Sequence, residues 1–214
     1  MNITHETPEY IAKRDSLGGG KFNGAYYYSR EITDTIIPLV DTDRPWVTVN
    51  VPGRCFDHAI VFIHNNLHPE NYDWLSSYDD LILVCGIPAT CDKVAHLGTP
   101  LYLPLSVDIE DIMRFDTDRK RYDHAFAGRK SKRFGFRFPP GTLMLSGMER
   151  ESMLKVMATC RNVYAVGRCA IEAKVLGCNV LPYDKRYPDP RLWRVIDNKE
   201  AGYMLDSMIR RIDG

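Results

Sequence analysis

The chain has 214 residues, 44% hydrophobic and 26% charged, with 28 basic and 28 acidic side chains and a net charge of zero. That is enough apolar material for one large domain or two small ones, while no global field draws the chain to nucleic acid or membrane and no apolar run is long enough to span a bilayer. The stretch MNITHETPEYIAKRD lacks the apolar middle of a signal peptide, and six cysteines without a C-x-x-C pair read as reduced, buried small side chains, so a cytoplasmic protein without a metal site is expected.

Residues 1–25 are polar and glycine-rich, with no convincing apolar strand ahead of LGGGKFNG. REITDTIIPLV (30–40) has apolar positions at helical spacing. Strands are predicted at PWVTVNV (45–51), DHAIVFIHNN (57–66), DLILVCG (80–86) and PLYLPLSVD (100–108), with a short helix or turn at NYDWLSSYDD and a helix in PATCDKVAHLG stopped by its glycine. The pattern then changes. DIEDIMRFDTDRKRYD is charged and partly helical, HAFAGRKSKR (124–133) begins as a strand and runs into a basic loop, and FGFRFPPG reads as loop. TLMLSG (142–147), NVYAVGR (162–168) and NVLPYD (179–184) read as strands, alternating with helices at ERESMLKVMATC (149–160), CAIEAKVLG and NKEAGYMLDSMIRRID (198–213). Continuous apolar strands alternating with helices predict parallel sheets covered on both faces. The break near 106–123 predicts two α/β domains, residues 1–107 and 108–214, each a small Rossmann-like unit facing the other across a cleft where the carboxyl ends of the strands gather ligands.

The most informative stretch is YAVGRCAIEAKVLGCNVLPYD, residues 164–184. A strand ends at Gly167-Arg168 and a helix begins near Cys169, so the first helical turn presents unpaired N–H groups and partial positive charge, which suit a phosphate. Gly167 permits close approach of a ligand. Glu172 stands about one turn in, where a carboxylate can accept from both hydroxyls of a ribose. Arg129 with Lys130 or Lys132, in the basic loop, are candidates to neutralise a diphosphate. The same local richness in Arg and Lys from 114 to 137 also suits the backbone of a nucleic acid. His64, at the end of a strong strand, has an ordinary pKa suited to a general base, and Asn65 and Asn66 beside it can orient hydroxyls. Gly18, Gly19 and Gly20 allow a close approach to phosphate or acceptor.

This combination resembles the GT-B glycosyltransferases. In that family a glycine, then an acid followed by alanine, precede a small-residue helix end and a strand, and the resemblance implies that Glu172 binds the donor ribose. It implies further that Arg129 with Lys130 or Lys132, and Gly167-Arg168, hold the donor diphosphate, that His64 activates the acceptor, and that the glycines at 18–20 form the loop before the first helix. The family often carries a second acid eight residues before the first; here Tyr164 stands there. LPLSVD resembles the crossing between the family's domains, and the N-terminal half is abbreviated. The implied activity is transfer of a sugar from a nucleotide sugar to a hydroxyl, with no tightly bound cofactor. Compact members resemble those carried by bacteriophages, which implies a hydroxymethylated base in double-stranded phage DNA as acceptor, flipped out of the duplex, and a location in the host cytoplasm. A sugar or cell-wall hydroxyl is the competing acceptor. An inactive GT-B-like module that binds a nucleotide or DNA is the alternative.

Overall fold

Among the described residues nine strands form two sheets, and every pairing in both is parallel. The computed structural model describes residues 2–4, 24–49, 55–63, 68–128 and 135–214. The described chain divides into two units: Met1–Pro104 with Asn198–Gly214, and Leu105–Asp197.

In the first unit the sheet runs β1 (Asn2–Thr4), β2 (Trp46–Val49), β3 (Ala59–Ile63), β4 (Ile82–Cys85) and β5 (Thr99–Tyr102), in that spatial order. β3 and β4 are central, and all nine of their residues are buried, as AIVFI and ILVC dictate for strands covered on both faces. β5 is an edge strand and carries Pro100, whose missing N–H is tolerated there. Helix α1 (Gly24–Glu31) continues through a wide turn at Ile32–Ile36 into a tight one at Ile37–Leu39, where Pro38 ends the run. Helix α2 (Pro88–Val94) leads to Gly98, where a Cβ would lie 2.5 Å from the Leu81 carbonyl oxygen. That oxygen already accepts from the Thr99 N–H at 2.7 Å, so it cannot retreat without breaking the β4–β5 junction. Gly98→Ala is expected to destabilise the fold by about 3 kcal/mol, read from urea unfolding; a change below about 0.5 kcal/mol contradicts this packing.

In the second unit the order is β7 (Leu143–Met144), β6 (Tyr122–Ala127), β8 (Cys160–Ala165), β9 (Asn179–Leu181). Helix α3 (Ile109–Met113) is capped by Asp108, which accepts from the Asp111 N–H at 2.8 Å. Helix α4 (Arg150–Ala158) precedes β8, and α5 (Arg168–Val175) joins β8 to β9. Alternation along the strands sorts two apolar layers. Ala125, Ala127, Val163 and Ala165 face the cluster that includes α4 and α5; their small size lets helices lie close. Phe126 and Tyr164, paired in register, face the other way with Val166 and Tyr183. There Phe136 and Phe138 pack on them, with ring centroids 4.7 Å apart for Phe126–Phe138 and 5.2 Å for Phe138–Tyr164. Lys120 donates to the carbonyls of Ala158 and Leu176, at 2.8 and 2.7 Å, and so caps the carboxyl ends of α4 and α5 together.

Three expectations change. A strand does precede the glycine-rich stretch: β1 pairs with β2 over Asn2–Thr4, a run too short and too polar to signal itself. The unit boundary falls at Pro104 rather than at 107. The last helix, α6 (Asn198–Asp213), belongs to the first unit, because Gly202 lets it press against Leu39 and Ile36 while Asn198 donates to Glu31 at 2.9 Å. No helix among the described residues is long and apolar enough to cross a membrane.

Candidate functional site

In the second unit the strand order reverses beside β6: the chain steps from β6 to β7 on one side, then crosses to β8 on the other. In an open parallel sheet such a reversal leaves a crevice at the carboxyl ends of the two strands concerned, where ligands bind. Here those ends are Ala127-Gly128, after β6, and Val166-Gly167, before α5. Both are exits selected from the sequence as phosphate-binding segments.

Gly167 has φ +62° and ψ −143°, a conformation that essentially only glycine adopts. It turns the chain sharply from β8 into α5, whose first turn carries the positive end of the helix dipole. Arg168 is the first residue of that helix. Its Nε donates to Glu172 Oε1 at 2.9 Å, an i,i+4 pair across one helical turn. Arg150, at the start of α4, donates through Nε to the same oxygen at 3.3 Å and through Nη1 to Asp111 Oδ2 at 2.9 Å. Arg114 also pairs with Asp111. The side chains of Glu172, Arg168 and Arg150 are 2%, 9% and 11% exposed. Three guanidiniums and two carboxylates thus alternate, Arg114–Asp111–Arg150–Glu172–Arg168, from the end of α3 through α4 to α5. Burial by itself would raise the Asp111 pKa, but the hydrogen bonds and charges of Arg150 and Arg114 outweigh it and hold it below the ordinary carboxylate value.

Glu172 is therefore not a solvated helix residue. A carboxylate so enclosed meets a ligand only if its arginines part, so its immediate effect is to fix the direction of Arg168 and Arg150. Tyr164, where the resemblance leads one to look for a second acid, is a core residue of the aromatic layer.

Tyr183 was not singled out from the sequence, although alternation continued past β9 places Leu181 and Tyr183 on one face, and both belong to the aromatic layer. Its ring meets Phe126 edge-on at 5.0 Å. Since β8 lies between β9 and β6, the side chain crosses over the end of β8 to reach the end of β6. The Tyr183 oxygen is sealed from solvent and has no hydrogen-bond partner among the described residues. Burial, then the neighbouring Cys169 and Asp184, push the phenol's pKa up, so at neutral pH the hydroxyl is a donor. Ser146 donates to the Gly128 carbonyl and pins the strand exit. Asp184 is held by Arg186 through two bonds of 3.0 and 2.9 Å.

Of the residues selected from the sequence, the structure brings together Gly167, Arg168 and Glu172. Gly18, Gly19, Gly20, His64, Asn65, Asn66, Arg129, Lys130 and Lys132 lie outside the described residues. Within the basic stretch, Lys120 and Arg114 are engaged inside the unit, as a helix cap and an ion pair. Arg150 escaped the sequence reading because its partners stand 22 and 39 residues away. Comparison of the chain with protein-family models, with curated proteins and with solved structures finds no match.

Proposed function

We propose that the protein is a nucleotide-sugar-dependent glycosyltransferase of GT-B-like build, in which the second unit holds the nucleoside diphosphate of the donor. One observation carries this reading. The strand order reverses between β6 and β8, and these two strands lead into the two segments whose residue types suit a diphosphate. A leaving nucleoside diphosphate gains negative charge as the glycosidic bond breaks, and fixed positive groups stabilise it. The start of α5 and Arg168, oriented by Glu172, are such groups on this side; Arg129 with Lys130 or Lys132 would complete them from the loop after Gly128. His64, from the first unit, would remove the acceptor's proton. The acceptor oxygen then bonds to the anomeric carbon while the bond to the diphosphate breaks, and nucleoside diphosphate departs. A hydroxymethylated base in duplex DNA and a free sugar hydroxyl are the acceptors to compare.

Calorimetric titration with uridine, guanosine and adenosine diphosphates is expected to find one that binds at a single site. Incubation of its sugar conjugates with each acceptor should add one hexose mass to the acceptor. Failure of every diphosphate to bind at millimolar concentration removes the proposal.

A further inference from the structure

Tyr183 occupies a place that packing alone does not account for. Its ring belongs to the aromatic layer and is 7% exposed, yet its hydroxyl has no partner among the described residues. A phenylalanine would fill the same volume without carrying a polar group out of water. The oxygen sits at the strand-order reversal. A Cβ at position 128 would lie 3.0 Å from it and equally close to the Phe126 ring, so the hydroxyl stands directly over the exit of β6, where only glycine fits. Ala127 pairs in register with Ala165, so the exit of β6 at Gly128 lies beside the exit of β8 that leads through Gly167 into α5. The crevice thus joins three features: a glycine at the end of β6, a helix start after a glycine held at φ +62°, and a buried donor lacking an acceptor.

We propose that Tyr183 is a ligand-contacting residue of this crevice, donating its hydroxyl hydrogen to a phosphate oxygen of a nucleoside diphosphate seated between Gly128 and the start of α5. This rests on the nucleotide-binding reading above and adds to it a donor that comes from the segment after β9 rather than from either glycine segment. A neutral donor there complements the cations: it grips oxygen by direction rather than by charge, so its contribution persists when salt screens the arginines.

The test is Tyr183→Phe in the full chain, titrated with uridine, guanosine and adenosine diphosphates and with inorganic pyrophosphate at low and high salt, beside a thermal melt. The expected result is a melting temperature equal to or above that of the wild type, with affinity for the bound diphosphate lower by about tenfold at both salt concentrations. Wild-type binding that Tyr183→Phe leaves unchanged overturns the inference and spares the nucleotide reading. Loss of pyrophosphate binding in the variant, when the wild type takes pyrophosphate but no nucleotide, upholds the phosphate contact and sinks the nucleotide reading. If neither protein binds any of these anions, both fall.

Discussion

Replacing Glu172 with alanine is expected to destabilise the second unit by about 3–5 kcal/mol. The carboxylate is shared by Arg168 and Arg150, both about nine-tenths buried. Without it, the two buried guanidiniums lose the acid they share, and of the network's two carboxylates only Asp111, on Arg150, stays. Removing one member of a buried ionic set costs far more than the set contributes over an apolar replacement, because the uncompensated charge remains. Glu172→Gln keeps the shape and one neutral acceptor, so it should lose less, about 1–3 kcal/mol. Hydrogen exchange of the β8 amides at neutral pH reads both numbers, since this central strand opens only when the unit does. An alanine variant as protected as the wild type would mean that the arginines find other carboxylates.

The same pair of variants separates two roles for the residue. If Glu172 touched a ribose, the wild type would prefer a diphosphate over its 2′-deoxy analogue and Glu172→Gln would erase that preference. If it orients Arg168, Glu172→Gln weakens both ligands alike, and this second result is the one the enclosed carboxylate leads us to expect. Acid should act on the network through Asp111. Its folded pKa is depressed, so its stabilising contribution is present above the ordinary carboxylate range, near pH 4, and is lost as the pH falls through the lower folded value.

How far the sequence reaches can be judged on particular residues. β3 and β4 were legible because a strand covered on both faces must be apolar throughout, and their runs are; β6 and β8 show the same signal only in their buried second halves, AFA and VYA. The reversal point was half legible: the segments after β6 and β8 carry glycine and charge, but only the pairing of β6 with both β7 and β8 makes them neighbours. FGFRFPPG alternates phenylalanine at every second position yet forms no strand over 135–140, and its alternation is instead spent on covering the sheet with Phe136 and Phe138. The i,i+4 spacing of Arg168 and Glu172 was visible in principle, and it already argues for a mutual pair over a free acid. Arg150 completes that pair from another helix, which no local pattern announces. The allegiance of α6 was hidden for a related reason. An amphipathic helix declares that it has an apolar face, but not what it will press that face against; the missing side chain of Gly202 selects Leu39 and Ile36.

The allegiance of α6 also rests on a buried cation, and Arg44→Ala should show it. The Arg44 side chain is 2% exposed. Its Nη1 donates to the Asp80 carbonyl at 2.7 Å, its Nη2 to Asp80 Oδ1 at 3.1 Å and Asp213 Oδ1 at 2.8 Å, and its Nε to Asp213 at 3.2 Å. It thereby ties the turn before β4 to the last turn of α6. Burial would lower the guanidinium's pKa, but Asp213 and Asp80 overcome this and raise it, so the cation is permanent. Asp80 and His58, which pair with each other, both have left-handed backbone, φ +51° and +57°, a conformation that Asp and His tolerate better than most residues. Truncation removes the fork that satisfies this turn, and a loss of about 3 kcal/mol is expected, together with early proteolytic release of α6. Arg44→Lys should recover only part, since a single ammonium cannot span three acceptors in one plane. The hydrogen bond from His58 outweighs the opposing effect of burial and, with the help of Arg44, holds the Asp80 carboxyl below its ordinary value. Asp80 therefore supports the fold above about pH 4 and stops doing so as acid protonates it. The gap between wild type and Arg44→Ala should narrow over that range, modestly, because the Asp80 side chain is more than half exposed and screened by water. Equal stability of the two proteins at pH 7, with α6 equally resistant to protease, would mean that its apolar face and the bonds of Asn198, Asp206 and Arg210 hold it in the first unit without Arg44.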